Sequence, residues 1–335
     1  MNSKEMKSAL KWGIIGLGNI AHQFAKDLQL VEGSKIVSVA SRNLSKAFEF
    51  GAEYGVVKCY GNYNEILDDP DVDIVYVATP HNSHVTLSVA AMNAGKHVLC
   101  EKPLAVNKHE VNTIISAARN NQVFMMEAFW SRFNPSIVKA MEVIRSGEIG
   151  EINYLNVDFT FFRNDNDDSR MLNMDLAGGS LLDMGVYPVF LSYLIFGIPE
   201  DILATGRFHK TGVDIQTSAI LKYPNGIANV FSGFASQSDM VAKIYGTKGA
   251  IFIQPIWHES QGIKIRTEGK MTLHSLPTKG KGFTYEIEEC MRCIQNGQLE
   301  SDQWSHQNSL DLITITDEIR DKIGLRYPFE NKIQE

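Results

Sequence analysis

Cysteine is scarce. The chain has four in 335 residues, Cys59, Cys100, Cys290 and Cys293. That is too few for a disulfide scaffold of this size and suits a reducing, cytoplasmic setting. Positive charge is not in excess either: 32 Lys and Arg against 39 Asp and Glu leave a net charge of −7. Neither nucleic acid nor an acidic membrane surface is therefore expected as a partner. No apolar run reaches the roughly 18 residues that a spanning helix needs. The most apolar segment, 181–198, is interrupted by Asp183, Gly185 and Pro188. The opening MNSKEMKSALKW carries lysines without an apolar stretch, so no secretory signal is read there. Internal repeats and low-complexity tracts are missing as well. A chain that is 44% hydrophobic and 21% charged is globular rather than disordered, and its length accommodates two domains.

Two textures divide it. Up to about residue 125, strand and helix signals alternate. Strands are expected at 12–17, 35–40, 74–78, 97–100 and 123–126, and helices at 21–30, 44–54, 64–68, 84–93 and 107–120. The uninterrupted apolar run 74–78 is the mark of a strand buried on both faces. This alternation predicts an α/β domain, a doubly wound parallel sheet over residues 1–125. Beyond residue 150, strand-like segments at 152–162, 202–208, 217–223, 227–235, 242–245, 250–254 and 263–267 are joined by turn signals such as Pro224-Asn225-Gly226. Helices are expected near 180–197, 284–295 and 310–324. The second domain, 126–335, is thus read as α+β around an open, mainly antiparallel sheet.

The chemistry-bearing motifs sit at strand ends. Gly16-x-Gly18-x-x-Ala21 follows the first strand and opens the first helix. There the first glycine makes the turn, the second admits a pyrophosphate, and the small third residue allows close packing. The N–H groups of Asn19 and Ile20 join the glycines at the positive end of the helix. A dinucleotide site is expected; a glycine-rich turn in some other α/β domain is the plainer alternative. At the end of the second strand no carboxylate waits for an adenosine ribose. Ser41 and Arg42 stand there instead, suited to a 2′-phosphate, which favours NADP over NAD. Arg42 as a solvated loop residue or an adenine-stacking group is the alternative.

Ligands in such sheets bind beyond the carboxyl ends of the strands. Thr79-Pro80-His81 with His84, and Glu101-Lys102-Pro103, leave such ends. Lys102, partly desolvated beside a nicotinamide cation, would have a depressed pKa and could trade a proton with a substrate hydroxyl. Pro103 restricts its backbone and admits a cis bond. His81 and His84 are candidates for cofactor or substrate contact, with a capping or solvated group as the plainer alternative. In Gly178-Gly179-Ser180-Leu181-Leu182-Asp183-Met184-Gly185-Val186-Tyr187-Pro188, Ser180 is expected to cap a helix. Asp183 and Tyr187 then share a face, as partners for a polyhydroxylated substrate or as a core tyrosine with a capping acid. Pro188 should kink the helix. Cys290-x-x-Cys293, with no second Cys or His pair nearby, reads as packing rather than a redox or metal site, and no metal is expected. The acidic run 165–168 reads as a solvated loop rather than a calcium loop.

Taken together, the 16–21 motif, Thr79-Pro80, Glu101-Lys102-Pro103 and the 178–188 run resemble the glucose–fructose oxidoreductase/inositol dehydrogenase (Gfo/Idh/MocA) superfamily along essentially the whole chain. Many members have His at the position of Tyr187. Tyrosine there, with Glu127-Ala-Phe-Trp-Ser-Arg-Phe-Asn-Pro135 and the tail Asp317-Glu318-Ile319-Arg320…Tyr327-Pro328-Phe329-Glu330, is similar to the dimeric dihydrodiol dehydrogenase and D-xylose dehydrogenase branch. The resemblance implies a cytoplasmic, NADP-preferring oxidoreductase, with NAD as the second choice. It implies Lys102 and Tyr187 as acid/base, Asp183 beside them, Thr79, Pro80 and Glu101 near the cofactor, and a homodimer through the C-terminal sheet. Trp130, Arg132 and Arg170 are candidates for the substrate pocket, and the substrate class is a sugar, polyol or diol. A nucleotide-sensing regulator and an NAD-dependent glycosidase are the rival readings on the same fold.

Overall fold

The computed structural model describes residues 9–163 and 169–330. The acidic run 165–168 and the first eight residues lie outside them. Two compact units emerge: one holds the chain up to Leu104, His109–Trp130 and Lys279–His306, and the other Ala105–Lys108, Ser131–Thr278 and the remainder from Gln307. The first unit is therefore not closed at residue 125; it recovers a helix from far down the chain.

In the first unit, strands β1 (Leu10–Ile15), β2 (Ser34–Ala40), β3 (Lys58–Tyr60), β4 (Ile74–Val77), β5 (His97–Glu101) and β6 (Met125–Ala128) alternate with helices. These are α1 (Asn19–Leu28), α2 (Leu44–Tyr54), α3 (Tyr63–Leu67), α4 (His84–Asn93) and α5 (Lys108–Asn121). Every pairing is parallel, in the order β3-β2-β1-β4-β5-β6. This is the doubly wound order whose direction reverses between β1 and β4, where the crevice for a nucleotide opens. Ile14, Ile15, Val75, Val77, Val98 and Leu99 are fully buried, which is why their strands read as continuous apolar runs.

The second unit begins with α6 (Pro135–Ser146), started by Asn134, whose side chain accepts from Ser136 N, with Pro135 in the first turn. An eight-stranded sheet follows: β7 (Ile152–Thr160), β8 (Asp201–Phe208), β9 (Asp214–Tyr223), β10 (Gly226–Gly233), β11 (Ala242–Gly246), β12 (Gly249–Ile253), β13 (Gly262–Thr267) and β14 (Lys270–Ser275). Its order is β14-β13-β12-β11-β7-β10-β9-β8. All pairs are antiparallel except β7 with β10. On β9, Ala219, Leu221 and Tyr223 are buried while Ile220 and Lys222 alternate outward, the signature of a sheet covered on one face.

The covering element is the apolar segment with the Asp183 and Tyr187 motif. It is a π-helix over Leu181–Gly185 that runs into α7 (Val186–Phe196). By length and composition the stretch Met174–Phe196 could cross a membrane, but most of it is buried inside the protein. Pro188 lies in the first turn of α7, just after the widened turn. It meets the segment where the i→i−4 ladder is already interrupted, so the π-turn takes up the irregularity expected of the proline. The last two helices are α8 (Thr284–Gln295) and α9 (His306–Ile323). Asp27 of α1 holds α8 in the first unit: its carboxylate accepts the backbone N–H groups of Lys281, Gly282 and Phe283 at 2.8–2.9 Å.

Candidate active site

The carboxyl-end edge of the first sheet is built for a dinucleotide. Gly16 follows β1 with φ +87, and a Cβ there would lie 2.7 Å from Ala78 O; only glycine makes this turn. At Gly18 a Cβ would meet nothing within 4 Å. The protein's own packing does not demand a glycine at that position, and a ligand has room to approach the backbone there. Helix α1 starts at Asn19 with no side-chain cap, leaving the N–H groups of its first turn to an anion. Ala21 is fully buried and lets helix and strand approach. Thr79, leaving β4, has a buried hydroxyl without a hydrogen-bond partner. Open space, an uncapped helix start and an orphaned hydroxyl together fit a bound NAD(P). At the tip of β2, Ser41 is half-buried and Arg42 exposed; the Ser41 hydroxyl accepts from Asn43 N at 3.2 Å.

Lys102 follows β5, and the Lys102–Pro103 bond is cis. Three side chains brace this turn. The His84 ring nitrogens lie 2.9 Å from Pro103 O and 2.9 Å from Thr79 O, so this histidine links the two strand ends. Glu127 accepts from Leu104 N at 2.9 Å and from Trp304 Nε1 at 3.1 Å. Glu101 is buried, accepting from Lys102 N at 3.2 Å and from the Tyr76 hydroxyl; it engages the protein rather than standing in open space. Burial pushes its carboxyl up to about 7, against the hydrogen bond from Tyr76 and the charge of Lys102. Beneath it Tyr76 stacks on Phe24 at 3.7 Å. Glu286 of α8 is fully buried, and neither carboxyl oxygen has a hydrogen-bond partner. Burial first, then the charges of Glu101 and Asp27, raise its pKa well above the carboxylate range.

His81 is buried with its ring 5.7 Å from that of His84. Trp130 is buried too, stacked on Phe283 at 4.7 Å.

The second unit carries the other candidates. Arg170 donates to Asp183 at 3.0 Å, a contact that joins two residues singled out separately in the sequence. Tyr187 is buried, with the rings of Phe159 and His258 at 5.3 and 5.2 Å; these two stack on each other at 4.1 Å. An apolar cluster of Met171, Leu172, Met184, Val213 and Phe234 has Phe159, Phe161, Met174 and Ile215 packed against it. Arg132 is half-buried. Ser180 does not cap the helix: it has helical backbone angles and no side-chain cap bond. Its hydroxyl donates to Asp214 at 2.7 Å, a carboxylate 34 residues away in sequence that no local pattern points to. Phe159 and His258 were missed for the same reason.

Cys290 and Cys293 are free and buried in α8, in packing positions. Among the described residues no three His, Cys, Asp or Glu side chains group as a metal site would.

Comparison with known proteins agrees with this geometry. Residues 10–129 match the family model described as "Oxidoreductase family, NAD-binding Rossmann fold", and residues 137–252 match the GFO/IDH/MocA C-terminal domain. The chain is 36% identical over 337 residues to a trans-1,2-dihydrobenzene-1,2-diol dehydrogenase from Mus musculus, covering 97% of this chain and 100% of the relative. A protein of the same name from Danio rerio is 36% identical over 330 residues, covering 95% and 98%. Among solved structures, an aldose-aldose oxidoreductase from Caulobacter crescentus superposes with a TM-score of 0.87 at 26% identity, covering 94% of this chain and 97% of that one. A 3-ketoreductase from Actinomadura kijaniata, in complex with NADP and TDP-benzene, gives 0.86 at 25%, covering 94% and 98%. With both halves matched in their order along the chain, this protein belongs to the GFO/IDH/MocA family of NAD(P)-dependent oxidoreductases.

Proposed function

We propose that this oxidoreductase acts on the CH–OH or C=O carbon of a sugar, polyol or cyclic diol, prefers NADP, and uses Lys102 and Tyr187 to move the proton. The observation that carries the reading is the position of Lys102. It leaves β5 on the same sheet edge as Gly16, Gly18, Thr79, Ser41 and Arg42. Gly16, Gly18, Asn19 and Ile20 hold the pyrophosphate, Ser41 and Arg42 the 2′-phosphate, and Thr79, Pro80 and His81 flank the dinucleotide further along. The nicotinamide, when bound, supplies or accepts the hydride. Tyr187 takes the hydroxyl proton as an alcohol is oxidised and returns it as a carbonyl is reduced, assisted by Lys102. Asp183, fixed by Arg170, accepts from a neighbouring substrate hydroxyl. The Phe159 and His258 rings beside Tyr187 suit the C–H face of a ring, as in a cyclic diol or pyranose. Sequence identity to named diol dehydrogenases supports the same class.

The reading includes a homodimer. Leu203, Ile220 and Ile227 are exposed on the sheet of the second unit. Tyr154 stacks on Tyr245 at 5.5 Å, and Arg266 lies over Phe252, a composition typical of interface cores.

The test is turnover on a panel of sugars, polyols, diols and α-dicarbonyls with NADPH, NADP, NADH and NAD. Lys102→Met and Tyr187→Phe should each lose about 10²–10⁴ in kcat while NADPH affinity, read by fluorescence titration, stays within a factor of about two. Unchanged turnover in both variants would refute the assignment.

A further inference from the structure

Asp214 opens β9 and is fully buried. One of its oxygens, Oδ2, accepts three hydrogen bonds: from Ser180 Oγ at 2.7 Å, from Thr217 Oγ1 at 2.7 Å and from Leu181 N at 2.8 Å. Leu181 N is the first N–H of the π-helix, one of the donors a helix leaves unpaired at its start. The carboxylate thus caps that helix from a neighbouring strand and places a negative charge at the positive end of its dipole. Ser180 Oγ also lies 3.0 Å from Ser232 Oγ, and Ser232 stands directly opposite Thr217 across β10 and β9. The polar cluster under the helix therefore draws on two paired strands.

The glycines of the motif show how closely the helix is set on this cluster. Gly179 has φ +125, and a Cβ there would fall 2.2 Å from Asp214 Oδ1; one at Gly185 would fall 2.8 Å from Ser232 Oγ. Either methyl would displace the polar side chain it meets. On the other side, Gly178 O accepts from the Tyr327 hydroxyl at 2.8 Å. Burial raises the Asp214 carboxyl, while the hydrogen bonds from Thr217, Ser180 and Leu181 oppose the rise.

We propose that Asp214 is a positioning residue: it fixes the rotation and height of the π-helix and, through that helix, aims Asp183 and Tyr187. The inference rests on the acid/base reading of Tyr187. It concerns a carboxylate that touches neither substrate nor cofactor. Its effect belongs in kcat, since a displaced phenol reacts poorly even when substrate still binds.

The experiment is a double-mutant cycle with Tyr187→Phe, using Asp214→Asn. Asp214→Asn should lower kcat about 10- to 100-fold, raise KM by less than about threefold, and leave NADPH affinity unchanged, since the nucleotide residues lie in the first unit. In the Tyr187→Phe background the same change should cost less than about twofold of the residual turnover, because the phenol whose aim sets kcat is gone. Should Asp214→Asn fail to fold, Ser180→Ala, which keeps the carboxylate and its bonds from Thr217 and Leu181, must show the same coupling with a smaller single-variant loss. Losses that multiply across the cycle, or a folded Asp214→Asn with wild-type kcat, would overturn the positioning role alone. Wild-type turnover in Tyr187→Phe would overturn the acid/base reading and this inference with it.

Discussion

Replacing Glu286 by Gln should make the first unit more stable, and increasingly so as pH rises. The native side chain sits fully buried, without a hydrogen bond, and holds its proton because burial and the charges of Glu101 and Asp27 disfavour the anion. In the unfolded chain it ionises at an ordinary 4.5. Above that value the native state binds one proton more than the unfolded state. Wild-type stability then falls by about 1.4 kcal/mol per pH unit for as long as the native carboxyl stays protonated. Glutamine has nearly the same shape and no proton to lose. The stability difference between variant and wild type should therefore widen as the pH is raised from 5.5 to 7.5. Glu101, pushed up to about 7, slopes the same way. His97 and His306, held below their usual range by burial, slope the opposite way; all three are present in both proteins and cancel. Urea unfolding of the cofactor-free chain at the two pH values, followed by tryptophan fluorescence, reads the difference. Trp12, Trp130 and Trp304 all belong to the first unit. Parallel stability curves would show that the native carboxyl is ionised and would refute the reasoning.

Arg42→Ala should weaken NADP binding about 10- to 100-fold, the worth of a charge-assisted contact, and leave NAD binding unchanged; equal losses for both nucleotides in titration would contradict the 2′-phosphate role. Asp27→Ala removes the acceptor of three backbone N–H groups and should cost at least about 1.5–3 kcal/mol of stability, seen as a lower urea midpoint. Gly16→Ala forces a methyl onto Ala78 O and should cost about 1–3 kcal/mol together with most of the nucleotide affinity, measurable by calorimetry.

Local chemistry was legible in the sequence, and distant pairing was not. Gly16 and Gly18, Lys102 before Pro103, and the doubly wound alternation all announce themselves within a few residues. Strand β3, three residues long, and β14, exposed along almost its whole length, give no burial pattern to read. Helix α6 went unseen although Asn134-Pro135 is a proper start signal. The π-turn was invisible because every position around Leu181–Gly185 except Asp183 is apolar or glycine, so no helical period stands out. Ser180, expected to cap its own helix, lends its hydroxyl to Asp214 instead. Asp27 and Glu286 acquire their meaning only from neighbours brought in by folding. A buried carboxylate, read in sequence, looks like any solvated one.

Asp27 and the segment it holds bear on how the protein is made. The nucleotide-binding half needs residues 279–306 to complete it, so synthesis passes through the entire intervening half before the first can close. A nascent chain stopped at residue 130 would expose the flank that α8 covers, including Phe24 where it meets Phe283. For this enzyme, excision of a free-standing nucleotide module means splicing two distant stretches together, and the vectorial order of translation cannot finish the halves one after the other.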